Sequence, residues 1–219
     1  MKDFIISPSV LNADLNHFDQ EIAKIKKAGM TWIHFDAMDG KFVKSVNFEK
    51  PLLQKLCQNL DLIKDVHIMI DNPLEHVMDY KECGADYLTF HYEACKDDDE
   101  VNKVIEKIHN LHMKAGISIK PKTPVDVIYP FLKKLDLVLV MSVEPGYGGQ
   151  KFMVDSLVKI SSLRSEINSQ GLETLISVDG GINDTDASDC LKAGANILVV
   201  GKYLFGREDF FERYQRLVK

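Results

Sequence analysis

Trp32-Ile33-His34-Phe35-Asp36 is the stretch that decides the fold of this 219-residue chain. It has the length of a β-strand, it is largely apolar, and it ends on a carboxylate. Seven further apolar runs of strand length occur along the chain, each followed by a longer segment of helical character. Apolar strands without strict polar alternation are typical of parallel sheets buried on both faces. The eight predicted strands are Phe4–Ser9, Trp32–Asp36, Leu62–Met69, Tyr87–His91, Ala115–Ile119, Leu137–Met141, Thr174–Val178 and Ile197–Val200.

The segments between these strands show the period of amphipathic helices. Apolar residues recur at helical spacing over residues 18–25, 101–108 and 157–163. Eight β–α alternations without a Pro/Gly/Ser-rich linker predict an α/β fold, a single (β/α)8 TIM barrel in one domain over residues 1–219. A doubly wound open sheet is the alternative. Glycines that can end a helix at positive φ follow several of these segments: Gly29, Gly84, Gly171 and Gly194.

The composition argues against several classes of protein. Hydrophobic residues make up 45% and charged residues 27%, and the formal net charge of -6 disfavours a nucleic-acid partner. No apolar run approaches the roughly 18 residues that span a bilayer, and residues 1–8 do not resemble a signal peptide. We therefore expect a cytoplasmic protein with neither a nucleic-acid nor a membrane partner. The cysteines are expected to be reduced thiols: Cys57, Cys83, Cys95 and Cys190.

Polar residues at strand ends are the first candidates for a functional site. Chemistry in a (β/α)8 barrel takes place where the strands end and the βα loops begin. In the second predicted strand, His34, Asp36 and Met38 share one face, because side chains alternate along a strand. An anionic substrate would need local donors in this region, since the protein as a whole is acidic.

The third and seventh predicted strands add residues of the same kind. Asp65, His67 and Met69 share one face of strand three, and Asp179 follows strand seven. A single residue of this type is more often a cap or a hydrogen-bonded loop residue, but four in phase on three strands favour a metal site. Two imidazoles and two carboxylates suit Zn²⁺, Mn²⁺, Fe²⁺ or Co²⁺ without choosing among them. Three methionines at strand ends are either core residues or an apolar wall over this site: Met38, Met69 and Met141.

Glycines cluster in three successive loops after the later strands. Three of them lie within residues 146–149, two form the Gly180-Gly181 pair, and one precedes Lys202 in Gly201-Lys202. Glycine lets backbone N–H groups approach an anion closely, and barrels often bind phosphate in the loops after strands seven and eight. The three loops therefore predict a phosphorylated substrate.

Five blocks of the sequence resemble the signature of ribulose-phosphate 3-epimerases. They occur in the same order and on the expected strands, and the resemblance covers essentially the whole chain. The blocks are Ser7-Pro8-Ser9, His34-Phe35-Asp36-Ala37-Met38-Asp39-Gly40, Asp65-Val66-His67-Ile68-Met69, residues 141–150 and Val178-Asp179-Gly180-Gly181-Ile182.

The resemblance implies an isomerase that epimerises C3 of a ketose phosphate, D-ribulose 5-phosphate to D-xylulose 5-phosphate in the pentose phosphate pathway. It implies one divalent metal ion (Zn, Fe, Mn or Co) per subunit, a homo-oligomer (dimer or hexamer), and a two-aspartate mechanism. Asp36 would be the base and Asp179 the acid, and a metal would stabilise the enediolate as a Lewis acid. The implied metal ligands are His34, Asp36, His67 and Asp179.

Substrate contacts are implied by the same resemblance. Ser9 and His67 would contact the sugar, with the apolar wall beside it. The methionines assigned to this wall are Met38, Met69 and Met141. The residues assigned to the phosphate are Gly146, Tyr147, Gly148, Gly149, Gly180, Gly181, Gly201 and Lys202.

Several positions depart from the family pattern, among them Lys44-Ser45, where the family usually has Pro-Asn. Lys120 and Glu144 stand where the family commonly has Asn, and Lys202 stands where it usually has Ser. Lys120 and Glu144 follow adjacent predicted strands, which predicts an ion pair between them; two independent surface changes are the alternative. Lys202 would add a positive charge to the phosphate site or point into solvent.

Other functions remain open on the sequence alone. Allulose-6-phosphate 3-epimerase would use the same chemistry on a six-carbon sugar, and the Asp179-Gly180-Gly181 block favours the pentulose enzyme. Decarboxylases and hexulose-phosphate synthases use Asp-x-Lys-x-x-Asp on strand three, but His67 replaces that Lys here. A non-catalytic phosphate-binding barrel is the remaining alternative, and retention of all four metal-ligand candidates argues against it.

Overall fold

A computed structural model describes residues 4–219. Eight parallel strands form a curled sheet, and a ninth short strand, β3, pairs antiparallel with the end of β2. An isolated parallel bridge between Ser9 and His34 joins β1 to β2 and closes the barrel. The strands are β1 Ile5–Pro8, β2 Trp32–Asp39, β3 Val46–Asn47, β4 Ile63–Met69, β5 Tyr87–His91, β6 Lys114–Ile119, β7 Leu137–Met141, β8 Leu175–Asp179 and β9 Ile197–Val200.

Helices follow the barrel strands and cover the outside of the sheet. The segment after β6, Val125–Lys134, is a 3₁₀ helix that contains Pro130, a residue unable to donate a helical hydrogen bond. Shorter 3₁₀ turns are Val10–Asn12, Leu15–His17 and Tyr92–Ala94. The α-helices are α1 Phe18–Lys27, α2 Lys50–Cys57, α3 Pro73–Glu82, α4 Asp98–Asn110, α5 Ser156–Ser169, α6 Asp184–Ala193 and α7 Phe210–Leu217.

Helix α4 illustrates how the sequence specifies these elements. The Asp97 side chain caps it by accepting from the backbone N–H of Glu100 at 2.9 Å, and further acids in the first turn complement the helix dipole. The apolar residues at helical spacing are buried against the sheet: Val101, Val104, Ile105 and Ile108. The same helical period predicted α1 and α5, and both are present.

The core has an outer and an inner part. The large outer cluster lies between the strands and the helices, with side chains such as Phe35, Leu88 and Val178 completely buried. The inner cluster fills the bottom of the barrel, around Trp32 and Leu139. Because apolar side chains fill the lower interior, the polar inward-facing residues lie together near the carboxyl ends of the strands.

The predicted fold is confirmed: the chain is an α/β protein with a (β/α)8 barrel, and not an open doubly wound sheet. The short strand β3 was not predicted. It forms because the chain after β2 turns back and pairs Met38 with Asn47 and Asp39 with Val46. The four cysteines are free, in agreement with the prediction of reduced thiols. Among residues 4–219, no helix combines the length and apolar character that a bilayer crossing requires.

Candidate metal centre and phosphate cradle

Four side chains meet at the carboxyl ends of three strands. His34 and Asp36 lie on β2, His67 on β4 and Asp179 on β8, and one potential ligand atom from each lies within 4.8 Å of the others. Asp36 Oδ1 is 3.2 Å from both His34 Nε2 and His67 Nδ1. The register, which pairs Asp36 directly with His67, accounts for this proximity.

These residues fit a divalent transition metal. Two nitrogen and two oxygen donors are the ligands that Zn²⁺, Mn²⁺, Fe²⁺ and Co²⁺ accept. His34 Nδ1 lies 2.8 Å from Asp65 Oδ2, which leaves Nε2 facing the other candidate ligands. A metal-binding histidine held by a carboxylate on its second nitrogen is a recurrent arrangement. The centre therefore has both its ligands and a support for one of them.

Burial and neighbouring charges shift the pKa values of the two histidines in opposite directions. Burial alone would lower the pKa of His34, but the facing carboxylates of Asp65 and Asp36 raise it well above its usual value. Burial lowers the pKa of His67, although Asp36 acts in the opposite direction. Because both imidazoles are completely buried, their polar contacts are with residues of the site and not with water.

The two carboxylates of the centre are driven apart in pKa. Burial would raise the pKa of Asp36, but the adjacent His34 and His67 lower it below the usual value. Burial raises the pKa of Asp179 to about 7, and the negative charge of Asp36 adds to the effect. Pairs of carboxyl groups with pKa values pushed apart are typical of acid–base sites, with one group ionised and the other protonated.

A cavity of about 230 Å³ opens above this centre. Its size is near the small end of the range for ligand sites, about 300–1,000 Å³. Asp36, Asp179 and Ser9 reach it from the barrel, and the Ser9 hydroxyl donates to Asp36 Oδ2 at 2.7 Å. The three methionines at the strand ends are buried in its wall: Met38, Met69 and Met141.

Glycine-rich loops form the other side of the cavity. Gly146, Gly149, Gly180 and Gly181 adopt φ values of +121°, +81°, +124° and +70°, respectively, in the left-handed region that favours glycine. A short helical turn opens at Gly201, whose carbonyl accepts from the backbone N–H groups of residues 204 and 205 at 2.9 and 3.1 Å. The first N–H groups of such a turn have no partner within it, so this end of the cavity is suited to an anion.

Asn12 was not predicted as a site residue, but it lies between two of these loops. A Cβ at Gly148 would be 2.9 Å from Asn12 Oδ1, and a Cβ at Gly201 would be 2.8 Å from the same atom. The absence of side chains at both glycines thus lets Asn12 reach the cavity wall. Its position in a 3₁₀ turn between β1 and α1 carries no strand-end or glycine signal by which sequence reasoning could find it.

Three cationic side chains line the cavity at the glycine-rich loops. Lys202 folds across Gly149, where an added Cβ would lie 3.0 Å from its Nζ. Arg213 Nε donates to Asp209 at 2.7 Å, whereas Lys202 and Arg207 form no ion pair within residues 4–219. Positive charge is therefore concentrated here although the protein is acidic overall. Neither Arg207 nor Arg213 was predicted.

All the sequence-predicted substrate and phosphate residues other than the buried His67 line this one cavity. Tyr147 lies at its rim, with its side chain directed largely to solvent, as a relative exposure of 65% indicates. The Gln150 side chain holds the loop by donating to the carbonyls of Glu144 and Tyr147 at 2.6 and 3.0 Å. The predicted residues are thus brought together, and their roles remain predictions.

The predicted ion pair between Lys120 and Glu144 is wrong. Lys120 Nζ lies 3.8 Å from the centroid of the Phe42 ring, and no ion pair of Lys120 occurs within the described residues 4–219. A cation over an aromatic face is attracted by the ring quadrupole. The backbone N–H of Lys120 donates to Glu93 at 2.7 Å, which fixes the loop so that the side chain reaches the β2–β3 loop rather than β7.

Gly181→Ala is expected to lower the free energy of unfolding by about 1–3 kcal/mol and to raise KM. An added Cβ would lie 2.4 Å from the backbone nitrogen of Phe152 and 2.6 Å from the carbonyl oxygen of Gln150, and the φ of +70° adds strain. Urea unfolding and steady-state kinetics measure both effects. Gly171→Ala is the control, because its φ is +65° but no atom lies within 4 Å. Equal effects of the two substitutions would contradict the role of close packing at Gly181.

Comparisons with known proteins find relatives along most of the chain. Ribulose-5-phosphate-3-epimerase, chloroplastic, of Arabidopsis thaliana is 38% identical over 210 residues, covering 96% of this chain and 74% of that protein. Ribulose-phosphate 3-epimerase of Bacillus subtilis is 38% identical over 205 residues, covering 93% of each chain. A solved 3-hexulose-6-phosphate synthase, at 16% identity, has a TM-score of 0.66 with 98% of both chains covered, which shows the shared fold alone.

The family assignment rests on a match along nearly the whole barrel. The model of the ribulose-phosphate 3 epimerase family matches residues 5–205. This range contains all nine strands and the four residues of the candidate metal centre. The chain belongs to the ribulose-phosphate 3-epimerase family.

Proposed function

We propose that the chain is a metal-dependent epimerase that inverts C3 of a ketose phosphate, with D-ribulose 5-phosphate and D-xylulose 5-phosphate as its substrates. The observation that carries this proposal is the convergence of two carboxyl groups, Asp36 and Asp179, with two imidazoles in one potential metal-binding group at the cavity. The adjacent glycine-rich cradle supports a phosphorylated substrate, and membership of the family supports epimerisation.

Asp36 is the base for ribulose 5-phosphate and Asp179 is the acid. The C3–H bond breaks as its proton moves to the Asp36 carboxylate, and the electron pair left on C3 delocalises toward the neighbouring carbonyl oxygen. The Asp179 carboxyl group then donates its proton to the opposite face of C3. This leaves Asp36 protonated and Asp179 ionised. In the reverse reaction the two residues exchange roles. Asp36 on β2 and Asp179 on β8 are separated around the barrel by β1 and β9, which supports approach from different sides.

The remaining residues of the centre hold these groups in place. His34, Asp36, His67 and Asp179 would hold a divalent cation, which when bound supplies Lewis-acid stabilisation of negative charge on oxygen. The Ser9 hydroxyl orients Asp36 through their 2.7 Å hydrogen bond. The methionine wall excludes water from the reacting carbon, and this strengthens the electrostatic interactions in the site.

An epimerisation assay tests the proposal. Ribulose 5-phosphate and allulose 6-phosphate are supplied in parallel to the purified protein, with and without a chelator. We expect turnover of ribulose 5-phosphate at a higher kcat/KM than allulose 6-phosphate, and loss of both activities with the chelator. A preference for allulose 6-phosphate would replace the pentulose with the hexulose as the substrate. No turnover of either sugar by metal-loaded protein would indicate a non-catalytic barrel.

Lys202→Ala is expected to raise KM for the sugar phosphate roughly 10- to 150-fold, because a charge-assisted hydrogen bond contributes roughly 1.5–3 kcal/mol. Lys202 lines the cavity beside Gly149 and lies at the start of the turn after β9. Michaelis–Menten kinetics at low and moderate salt measure the effect, which should shrink as salt increases. Lys192→Ala, a change of an exposed lysine on α6, is the matched control. An unchanged KM would mean that Lys202 points away from the bound phosphate.

Three expectations from the sequence stay predictions. They are the homo-oligomeric state, the cytoplasmic location and the extent of one domain over residues 1–219. None of them is needed for the chemistry described above, since all the proposed catalytic and phosphate-binding residues belong to one chain.

A further inference from the structure

The two histidines of the metal centre have different partners on their second ring nitrogens. His34 Nδ1 contacts the Asp65 carboxylate directly at 2.8 Å. His67 Nε2 instead lies 2.9 Å from Nε2 of another histidine, His91 on β5. Because two neutral imidazoles can share only one proton in such a contact, one of them donates and the other accepts. The direction of this hydrogen bond determines whether His67 Nδ1, which faces the metal-binding group, carries a proton or a free lone pair.

His91 leads on to a carboxylate. Its Nδ1 lies 3.1 Å from Glu93 Oε2, and the His91 side chain is completely buried. Glu93 also accepts from the backbone N–H of Lys120 at 2.7 Å and from the Thr123 hydroxyl. Burial would raise the pKa of Glu93, but these hydrogen bonds and His91 lower it to about 2. Glu93 is therefore an ionised acceptor, and His91 Nδ1 must donate to it.

The loop that donates to Glu93 is fixed from its other side by Lys159 on α5. The Lys159 ammonium donates to the carbonyls of Lys120 and Pro121 at 3.0 and 2.6 Å, and to that of Thr123. The carbonyls of Lys120, Pro121 and Thr123 thus face a cation, while an N–H and a hydroxyl of the same loop face Glu93. This arrangement stabilises a negative charge on Glu93 at the outer end of the hydrogen-bonded chain.

The donor directions follow in sequence from Glu93 to the metal centre. Since His91 Nδ1 carries the proton donated to Glu93, Nε2 of neutral His91 has a free lone pair. That lone pair accepts from His67 Nε2–H, which leaves the lone pair of His67 Nδ1 directed at the group that contains Asp36 Oδ1, 3.2 Å away. The His91 ring is completely buried, and burial favours the neutral form of an imidazole.

We propose that His91 and Glu93 form a positioning relay that holds His67 as its Nε2–H tautomer, presents Nδ1 to the metal ion, and thereby sets the affinity of the centre for metal. The inference rests on the metal site of the proposed function but needs neither the substrate nor the reaction. Both histidine ligands would then be supported by a carboxylate. Asp65 contacts His34 directly, and Glu93 supports His67 through His91.

Metal affinity tests the relay. Chelator competition with Zn²⁺, and the visible absorption of the Co²⁺ form, are measured for His91→Leu, His91→Gln and Glu93→Gln. Loss of an outer partner of a metal-bound histidine typically costs 10–100-fold in affinity, so we expect His91→Leu and Glu93→Gln to fall in this range. The amide oxygen that His91→Gln introduces can still accept from His67 Nε2–H, so this variant should retain more affinity than His91→Leu. Glu106→Gln, at an exposed position on α4, is the charge-matched control.

The tautomer of His67 supplies a second test that needs no metal. In metal-free protein Asp36 Oδ1 can also accept from His67 Nδ1–H, so the two tautomers compete. Relative to wild type, the ¹⁵N shifts of Glu93→Gln should report a shift from protonation on Nε2 toward protonation on Nδ1. Wild-type metal affinity in His91→Leu, or equal losses in His91→Leu and His91→Gln, would overturn the relay. If His91→Leu does not fold, Glu93→Gln with unchanged affinity and an unchanged His67 tautomer would overturn it. Wild-type protein that binds no metal would overturn the metal site as well, whereas metal binding without epimerisation would refute only the proposed function.

Discussion

Asp179→Asn is expected to lower kcat at least about 1,000-fold while leaving the barrel folded. General acid–base catalysis contributes roughly 10²–10⁴-fold to rates, and an asparagine can neither deliver nor accept the transferred proton. The pKa of Asp179, raised to about 7 by burial and by Asp36, supports its role as the protonated partner. Because the substitution also removes a potential metal ligand, metal content must be measured alongside kcat.

Hydrogen exchange at C3 distinguishes the two-carboxylate mechanism from a simple loss of the site. In D₂O, metal-loaded Asp179→Asn should still exchange the C3 hydrogen of ribulose 5-phosphate, since Asp36 removes and returns it on one face. The same variant should not exchange C3 of xylulose 5-phosphate, whose proton Asp179 would remove. Asp36→Asn should give the mirror-image result. NMR of the recovered sugars measures both.

Asp189→Asn provides the matched control for this experiment. It makes the same chemical change on α6, the helix that follows β8, but at an exposed position paired with Lys192 at 3.3 Å. We expect near wild-type kcat and exchange of both sugars. Near-normal activity of Asp179→Asn, or exchange of both sugars by that variant, would exclude the assignment of Asp36 and Asp179 to opposite faces.

The sequence was sufficient to predict the barrel because its strands are bounded by clear changes of character. Three predicted strands, Tyr87–His91, Leu137–Met141 and Ile197–Val200, begin and end as predicted. Buried apolar runs stop there at polar or loop-forming residues. Strand β2 continues beyond the predicted end at Asp36 because its next residues pair with β4 as far as Met38, and with the unpredicted β3 as far as Asp39. The pairing with β3 depends on where the chain turns back after β2, and a strand of two residues is too short to show a periodic pattern in the sequence.

The candidate site was predictable where a rule links sequence position to direction. Alternation along β2 and β4 places His34, Asp36 and His67 on inward faces, and the structure brings them together with Asp179. His91 also ends a predicted strand, so the same rule would have selected it.

Contacts between loops were beyond such rules. Glu93 accepts hydrogen bonds from the loop of residues 120–123, and its proposed role depends on the donors that this loop provides. The Lys120–Glu144 prediction failed for a related reason. Adjacent strands bring backbones together, but they do not fix the direction of a long side chain, and Lys120 turns to the Phe42 ring instead.

Removal of the metal is expected to lower kcat at least about 1,000-fold and to leave the protein folded, because Lewis-acid stabilisation contributes several kcal/mol to such reactions. The fold should persist because its core does not depend on the centre: apolar side chains fill the space between sheet and helices and the bottom of the barrel. Dialysis against a chelator, followed by kinetics and circular dichroism, measures both effects. Zn²⁺, Mn²⁺, Fe²⁺ and Co²⁺ are then added back separately, and the ion that restores kcat identifies the working metal.

Thermal unfolding gives the same experiment a readout independent of activity. An ion that binds only the folded state adds about 2.7 kcal/mol at 100 times its Kd, and each kcal/mol raises Tm by roughly 2–4 °C in a chain of this size. We therefore expect the metal to raise Tm by about 5–10 °C. His34→Gln, which removes one of the four ligand candidates, should show a much smaller rise. The loss of a ligand must weaken the site to which it belongs, so an equal rise in Tm in His34→Gln would place the bound ion elsewhere. Activity restored by a metal without any change in Tm would show that the catalytic ion does not bind at this buried group.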